Sequence, residues 1–388
     1  MKQRIANLLK YNKALYTIYY YTMNVVVNML KLFIKTDNKL ILFNSFAGRK
    51  FNDSPKAIYD VMIKDKRFTD YRLVWAFHNP EEYSVANGEK IKTDGIKYFI
   101  TTIKARAWIT NSSVERGLRF SGKNTLYFNT WHGTPLKKMG SDVNSKNESF
   151  GVKGGCPFDI MMSQGNYETD IFSRSFGIPK SKFLEVGLPR NDILYKYTNE
   201  QRNQIRKKLG ISDKKVILYC PTYREYEKDK GLGVVMAPPM DLGKWEEQLG
   251  SRFVLLIRAH YEVSKVMNIE EDMFVKNVTE YPDLNELFIA SDVLLSDYSS
   301  VYFDYSIMGK PMLHFTYDYD QYEANRGMYF DIRNYLNGAE TEEKVIEYIK
   351  NLNDQKEEER TKAFRDEFVN YYGSAAQAAV DCIADRIM

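Results

Sequence analysis

Short apolar runs that alternate with helix-like stretches constrain the fold of this chain more than any other feature. LILFNS (40–45), YRLVWAF (71–77), RAWITN (106–111), NTLYFNT (124–130), FDIMMSQ (158–164) and KFLEVG (182–187) each run into a turn. KKVILYC (214–220), RFVLLI (252–257), DVLLSD (292–297) and PMLHFT (311–316) repeat the arrangement further on. Strands buried on both faces read as unbroken apolar runs, and strands separated by helices pair in parallel. About ten strands are too many for one comfortable open sheet. The polar stretch TNEQRNQIRKKLGISDKK (198–215) is the natural seam. The expected architecture is therefore α/β, with a leader at 1–37, one Rossmann-like domain at 38–200 and a second at 201–388, facing each other across a cleft.

Composition narrows the function. Of 388 residues, 44% are hydrophobic and 27% charged, enough apolar material for sizeable cores and too much for disorder. Lys and Arg total 55 against 51 Asp and Glu, a net +4 that is not the footprint of a nucleic-acid binder. Cys156, Cys220 and Cys382 lack zinc-ligand spacing and are odd in number, which points to a reducing compartment.

The leader is basic and aromatic. Lys2, Arg4, Lys10, Lys13, Lys31, Lys35 and Lys39 face a single acid, Asp37, and ALYTIYYYTMNVVVNML lies between Lys13 and Lys31 uncharged. That run is too short and too polar for a comfortable span and has no signal-peptide cleavage site. An amphipathic helix lying in the lipid interface fits it, as does a helix packed on the protein's own surface.

In open parallel sheets, ligands collect at the carboxyl ends of the strands. NTWHGTPLKKMG places His132 at such an end, with Gly133 allowing close backbone approach and Thr134-Pro135 reading as a helix start. An imidazole beside free N–H groups suits a general base. RFVLLIRAHY ends in Arg258, Ala259 and His260, a cation and an imidazole that can share a phosphate. SDYSSVYFD offers Ser299 and Ser300 as cap residues of an anion cradle, with Asp304 one turn on, suited to a sugar-like or ribose hydroxyl rather than a phosphate. YCPTYRE contributes Pro221, Thr222 and Arg224, and GLPRND contributes Arg190. P-loop, dinucleotide, H-E-x-x-H and G-x-S-x-G signatures are missing from the sequence, so a diphosphate here is expected to be held by Arg, hydroxyls and helix ends, without a metal or cofactor.

NTWHGTPLKK, RAH and SDYSSVYFD resemble the CDP-glycerol glycerophosphotransferases of wall teichoic acid synthesis, a family of primases and polymerases, over roughly residues 38–375. The resemblance implies a glycosyltransferase-B-like fold, an acceptor domain followed by a CDP-donor domain, and a peripheral enzyme on the cytoplasmic face of the membrane. It implies transfer of glycerol phosphate from CDP-glycerol to an undecaprenyl-diphosphate-linked saccharide or polymer, of teichoic acid or a related capsule, with release of CMP. His132 then matches the family's base, completed by Gly133, Thr134, Pro135 and Leu136. Arg258 and His260 match its phosphate contacts, and Ser299, Ser300 and Asp304 its donor site, with Thr222 and Arg190 less closely aligned. A CDP-ribitol transferase of the same family, a nucleotide-sugar glycosyltransferase and a non-catalytic membrane-surface protein are the alternative readings.

Overall fold

The computed structural model describes residues 12–115, 117–143, 157–211, 213–224, 238–259, 267 and 269–388. His260 and Cys156 lie outside them. Two fully parallel sheets form. The first contains β1 (Asp37–Asn44), β2 (Arg72–Phe77), β3 (Glu89–Lys92), β4 (Ala105–Thr110), β5 (Leu126–Asn129), β6 (Ile160–Ser163) and β7 (Phe183–Glu185), in the order β3-β2-β1-β4-β5-β6-β7. The second contains β8 (Lys215–Cys220), β9 (Phe253–Ile257), β10 (Val275–Asn277), β11 (Val293–Ser296), β12 (Met312–Phe315) and β13 (Asn337–Ala339), in the order β10-β9-β8-β11-β12-β13. Each order reverses direction beside its first strand, so each sheet has a crevice at its carboxyl edge, at β1/β4 and at β8/β11.

Alternation explains why the strands read as apolar throughout. Ile41 and Phe43 enter one core of the first sheet, and Leu40 and Leu42 enter the core on its other face. Val216 and Leu218 are divided from Ile217 and Tyr219 in the same way.

The halves are less separate than the seam at 200/201 suggests. The helix Ala375–Ile387 returns to the first sheet, where Ala379, Val380 and Ile383 pack with Ile58, Tyr59 and Met62. Asp192 accepts from the N–H groups of Ala375 at 2.8 Å and Ala376 at 2.9 Å and so caps that helix. Residues 375–387 therefore belong physically to the first half, a correction to the expected 201–388 unit.

The helix Lys13–Phe33 packs inward through Val27 and Met23, which join a core of the first sheet, and through a polar stripe beside them. Asn24 accepts from the Arg119 N–H at 2.7 Å, Asn28 donates to the Arg119 carbonyl at 3.0 Å, and Lys31 donates to the Ser121 carbonyl at 2.9 Å. Those three residues follow i, i+4, i+7 spacing and form one stripe. Ile18, Tyr21, Val25, Met29, Leu32 and Phe33 are left exposed. Among the described residues no helix is long and apolar enough to cross a membrane.

Candidate active site

Between the two carboxyl edges lies a cleft of about 470 Å³. The first half contributes the segment from Trp131 to Lys137, and the second contributes Pro221, Thr222, Arg258, Ala259, Ser299, Ser300 and Arg326.

His132 follows β5 and keeps an exposed edge in the cleft. Its ring lies stacked on Trp131, with centroids 4.5 Å apart, and tilted against Phe46 at 5.9 Å. Nδ1 lies 2.7 Å from the Asn111 carbonyl, which only accepts; that fixes the proton on Nδ1 and leaves the Nε2 lone pair as the basic one. Desolvation by the surrounding protein pushes the pKa below the ordinary histidine value. The Asn111 bond and the charge of Asp53 oppose the shift, and Arg190 adds to it.

The expected helix at Thr134-Pro135 does not form. Lys137 instead makes an antiparallel bridge to Met328, the Lys138 N–H donates to the Gly327 carbonyl at 3.0 Å, and the Tyr329 N–H donates to the Leu136 carbonyl at 3.0 Å. The backbone donors and acceptors are consumed in joining the halves, so His132 has no helix terminus beside it. Leu136 is buried in the core of the second half and the Thr134 hydroxyl accepts from Gln164 at 2.9 Å, so both position the turn. Gly133 is there for space: a Cβ would come within 2.8 Å of the Ser300 hydroxyl.

Across the cleft, Arg258 donates to the carbonyls of Val278 at 3.2 Å and Tyr281 at 2.7 Å, which hold its guanidinium at the end of β9. Ser299 and Ser300 precede the helix Val301–Ser306, and the Thr222 hydroxyl oxygen is buried with no hydrogen-bond partner. Buried polar groups are rarely left unpaired, so this hydroxyl is free to pair with a ligand atom. Arg326, which sequence reasoning missed, ends the helix Tyr319–Arg326 and also lines the cleft, its Nε buried and unpartnered. The only sequence signal for it is the Gly that stops its helix. Lys137 is a further lining cation, and among the described residues no Asp or Glu lines this cleft.

Three expected ligand contacts are instead internal struts. Arg190 donates to Asp53 at 2.9 Å and to Asp304 at 2.8 Å. Asp304 also accepts from Asn191 at 2.6 Å, so each of its oxygens is held by a protein donor, and it does not line the cleft where a ribose hydroxyl was expected to meet it. Arg224 is only 2% exposed; it forks onto Asp318 at 2.7 and 2.8 Å and reaches Asp297 at 2.9 Å, surrounded by Tyr298, Tyr317 and Tyr322. Both arginines lie in turns that follow strands, and their partners are carboxylates of the protein. Among the described residues no cluster of His, Cys, Asp or Glu is arranged to hold a metal.

Two crevice-bearing parallel sheets, an oriented imidazole on one side and cations with hydroxyls on the other make this an α/β group-transfer site for a phosphate-bearing substrate. The chain belongs to the CDP-glycerol:poly(glycerophosphate) glycerophosphotransferase family, which residues 26–385 match, and it is an enzyme of that family. It is 34% identical over 388 residues to the teichoic acid poly(glycerol phosphate) polymerase of Bacillus spizizenii, covering 95% of each chain. It is 34% identical to the teichoic acid glycerol-phosphate transferase of Staphylococcus aureus, covering 85% of this chain and 88% of that one. The polymerase of Staphylococcus epidermidis is 35% identical over 90% of this chain, which spans about half (51%) of that relative's length. The wall teichoic acid polymerase TagF superposes with a TM-score of 0.83 at 32% identity, covering 96% of both chains. A UDP-N-acetylglucosamine 2-epimerase of Listeria monocytogenes, with a TM-score of 0.53 and 15% identity, shares the fold alone.

Proposed function

We propose that this enzyme, glycosyltransferase-B-like in its two-domain arrangement, transfers glycerol phosphate from CDP-glycerol to a hydroxyl of a lipid-linked teichoic-acid-type acceptor and releases CMP. The observation that carries the reading is the tautomer-fixed His132 facing a cleft whose opposite wall holds Arg258, Arg326, Thr222 and the Ser299–Ser300 pair. His132 Nε2 takes the acceptor hydroxyl's proton as that oxygen attacks the β-phosphorus of the donor. A new P–O bond forms to the acceptor and the bond from the β-phosphorus to the bridging oxygen breaks. CMP departs with that oxygen, and the proton leaves His132 for solvent. Arg258, Arg326 and the serine hydroxyls stabilise the charge on the phosphoryl oxygens, the largest contribution a positioned site makes to phosphoryl transfer.

The exposed apolar face of the helix Lys13–Phe33 supports peripheral attachment to the cytoplasmic membrane surface, where a lipid-linked acceptor is found. The relatives named above as glycerol-phosphate polymerases and transferases favour glycerol over ribitol in the donor.

The test is CMP release from CDP-glycerol, CDP-ribitol and UDP-sugars with a lipid-linked acceptor, for the wild type and His132→Ala. The expected result is turnover of CDP-glycerol, lowered about a hundredfold or more by the substitution with donor binding kept. A variant that loses donor binding yet turns over normally at saturating donor would remove His132 from the base role. Turnover of UDP-sugars alone would overturn the chemistry.

A further inference from the structure

At the amino edge of the first sheet, opposite the catalytic cleft, a second cavity of about 520 Å³ opens at the end of the helix Lys13–Phe33. Its floor is apolar: Trp108 and Phe120 meet edge to face at 5.6 Å, beside Ile103. Its rim is basic, with Lys31, Lys35 and Lys123 lining it and, among the described residues, no Asp or Glu. Lys31 donates to the Ser121 carbonyl at 2.9 Å and to Asn28 at 3.4 Å, which leaves a third proton. Asp37, close by in sequence, is engaged by Arg72 at 3.6 Å and by the Lys39 N–H at 3.0 Å. The carboxyl end of the helix adds a partial negative charge, which whole lysine charges outweigh.

The lip decides what such a cavity accepts. Leu32, which lines it, is 80% exposed and its neighbour Phe33 is 81% exposed. Both continue the outward apolar stripe of the helix. An apolar floor, a cationic rim and an apolar lip are the complement of an amphiphile with an anionic head; a free phosphate has no use for the floor or the lip. If the stripe rests in the acyl boundary, the rim stands at headgroup level.

We propose that this cavity is a headgroup site for an anionic glycerophospholipid, whose phosphate is held by Lys35, Lys123 and the remaining proton of Lys31 and whose chains run along Leu32 and Phe33. The site rests on the membrane attachment proposed above and adds lipid selectivity to it.

Flotation of the full chain with phosphatidylcholine vesicles, with and without phosphatidylglycerol, tests both layers separately. Phosphatidylglycerol is expected to raise binding roughly tenfold or more, given the attraction of each lysine to an anionic surface. Lys35→Gln/Lys123→Gln should lose that gain and keep the binding to phosphatidylcholine; retention of the gain overturns the site. Lys64→Gln/Lys66→Gln, on exposed lysines elsewhere, should retain the gain, and an equal loss there would make the effect one of general surface charge and overturn the site as well. Leu32→Ser/Phe33→Ser should lose binding to both vesicles; unchanged binding by that variant overturns the attachment itself. Monomeric dihexanoyl-phosphatidylglycerol should perturb tryptophan fluorescence through Trp108 in the wild type, and inorganic phosphate should not. An equal response to phosphate would replace the lipid with a free anion.

Discussion

Arg190, in the turn that leaves β7, donates from Nη2 to Asp304 of the second half at 2.8 Å, while its Nη1 holds Asp53 of the first half at 2.9 Å. All three side chains are nearly buried, and Asp53 adopts a left-handed backbone conformation (φ 65°) to meet the guanidinium. Gly133 passes close by, against Ser300. One side chain thus fixes the spacing between the base-bearing turn and the serine-bearing turn.

Removing that side chain strands two buried carboxylates. Arg190→Gln should destabilise the fold by about 3 kcal/mol or more, the usual cost of breaking a buried pair from one side. Arg190→Lys should recover little, because an ammonium cannot fork to both acids. Denaturant unfolding measures the first effect, and donor KM distinguishes the alternative. A substrate contact would raise KM in the Lys variant with unchanged unfolding.

The base should set an acid limb. Because the His132 pKa is held below the ordinary value of 6.5, the imidazole is neutral at pH 7, and kcat/KM should fall only as pH drops through that lowered pKa. The pH profile of kcat/KM, which reports groups of the free enzyme, measures it. An inflection above pH 6.5 would contradict the environment described for the ring.

Glu168 makes the opposite demand. Fully buried, it accepts from the Gln164 N–H at 2.6 Å, and burial pushes its pKa up to about 8. The Asp304 charge adds to the shift, and the Gln164 bond, Arg190 and Thr134 oppose it. The folded state therefore binds a proton that the unfolded chain has released between pH 4.5 and about 8, so this residue's contribution to stability declines as pH rises across that window and levels off above it. Glu168→Gln, which keeps the acceptor without the charge, should unfold at increasingly higher temperature than the wild type over the same window. A difference independent of pH would mean that the carboxyl is already ionised.

How much of this was legible in the sequence depended on where each residue's partners lie. The central strands were readable because burial on both faces leaves nothing but apolar residues, as in Val216–Cys220. The edge strands EKIK (89–92), VKN (275–277) and NGA (337–339) escaped notice, being short and one-sided. Thr134-Pro135 carried a sound local helix signal, yet the partner that overrode it, Met328, is far along the chain. Arg190, Arg224 and Asp304 show the same limit: a charge at a strand end looks alike in sequence whether its partner is a ligand or a distant carboxylate. His132, Thr222, Arg258 and the serines reached the cleft because the rule that placed them concerns the strand's own carboxyl end.

Arg326 tests the cleft with a residue that no motif selects. It lines the cavity on the same side as Arg258 and Ser299, its Nε is buried without a partner, and among the described residues no acid in the lining competes for it. The donor diphosphate is an expected component with charge to match. A charge-assisted hydrogen bond contributes about 1.5–3 kcal/mol, so Arg326→Gln should raise the KM for CDP-glycerol roughly tenfold or more. If the bond is made equally in ground and transition states, kcat stays near the wild-type value; if it tightens as charge moves onto the departing CMP, kcat falls with it. A purely structural Arg326, supporting the turn at Gly327 that pairs with Lys138, would lower the melting temperature and leave both constants in place. Steady-state kinetics beside a melting curve therefore separates a donor contact from a scaffold residue in one variant.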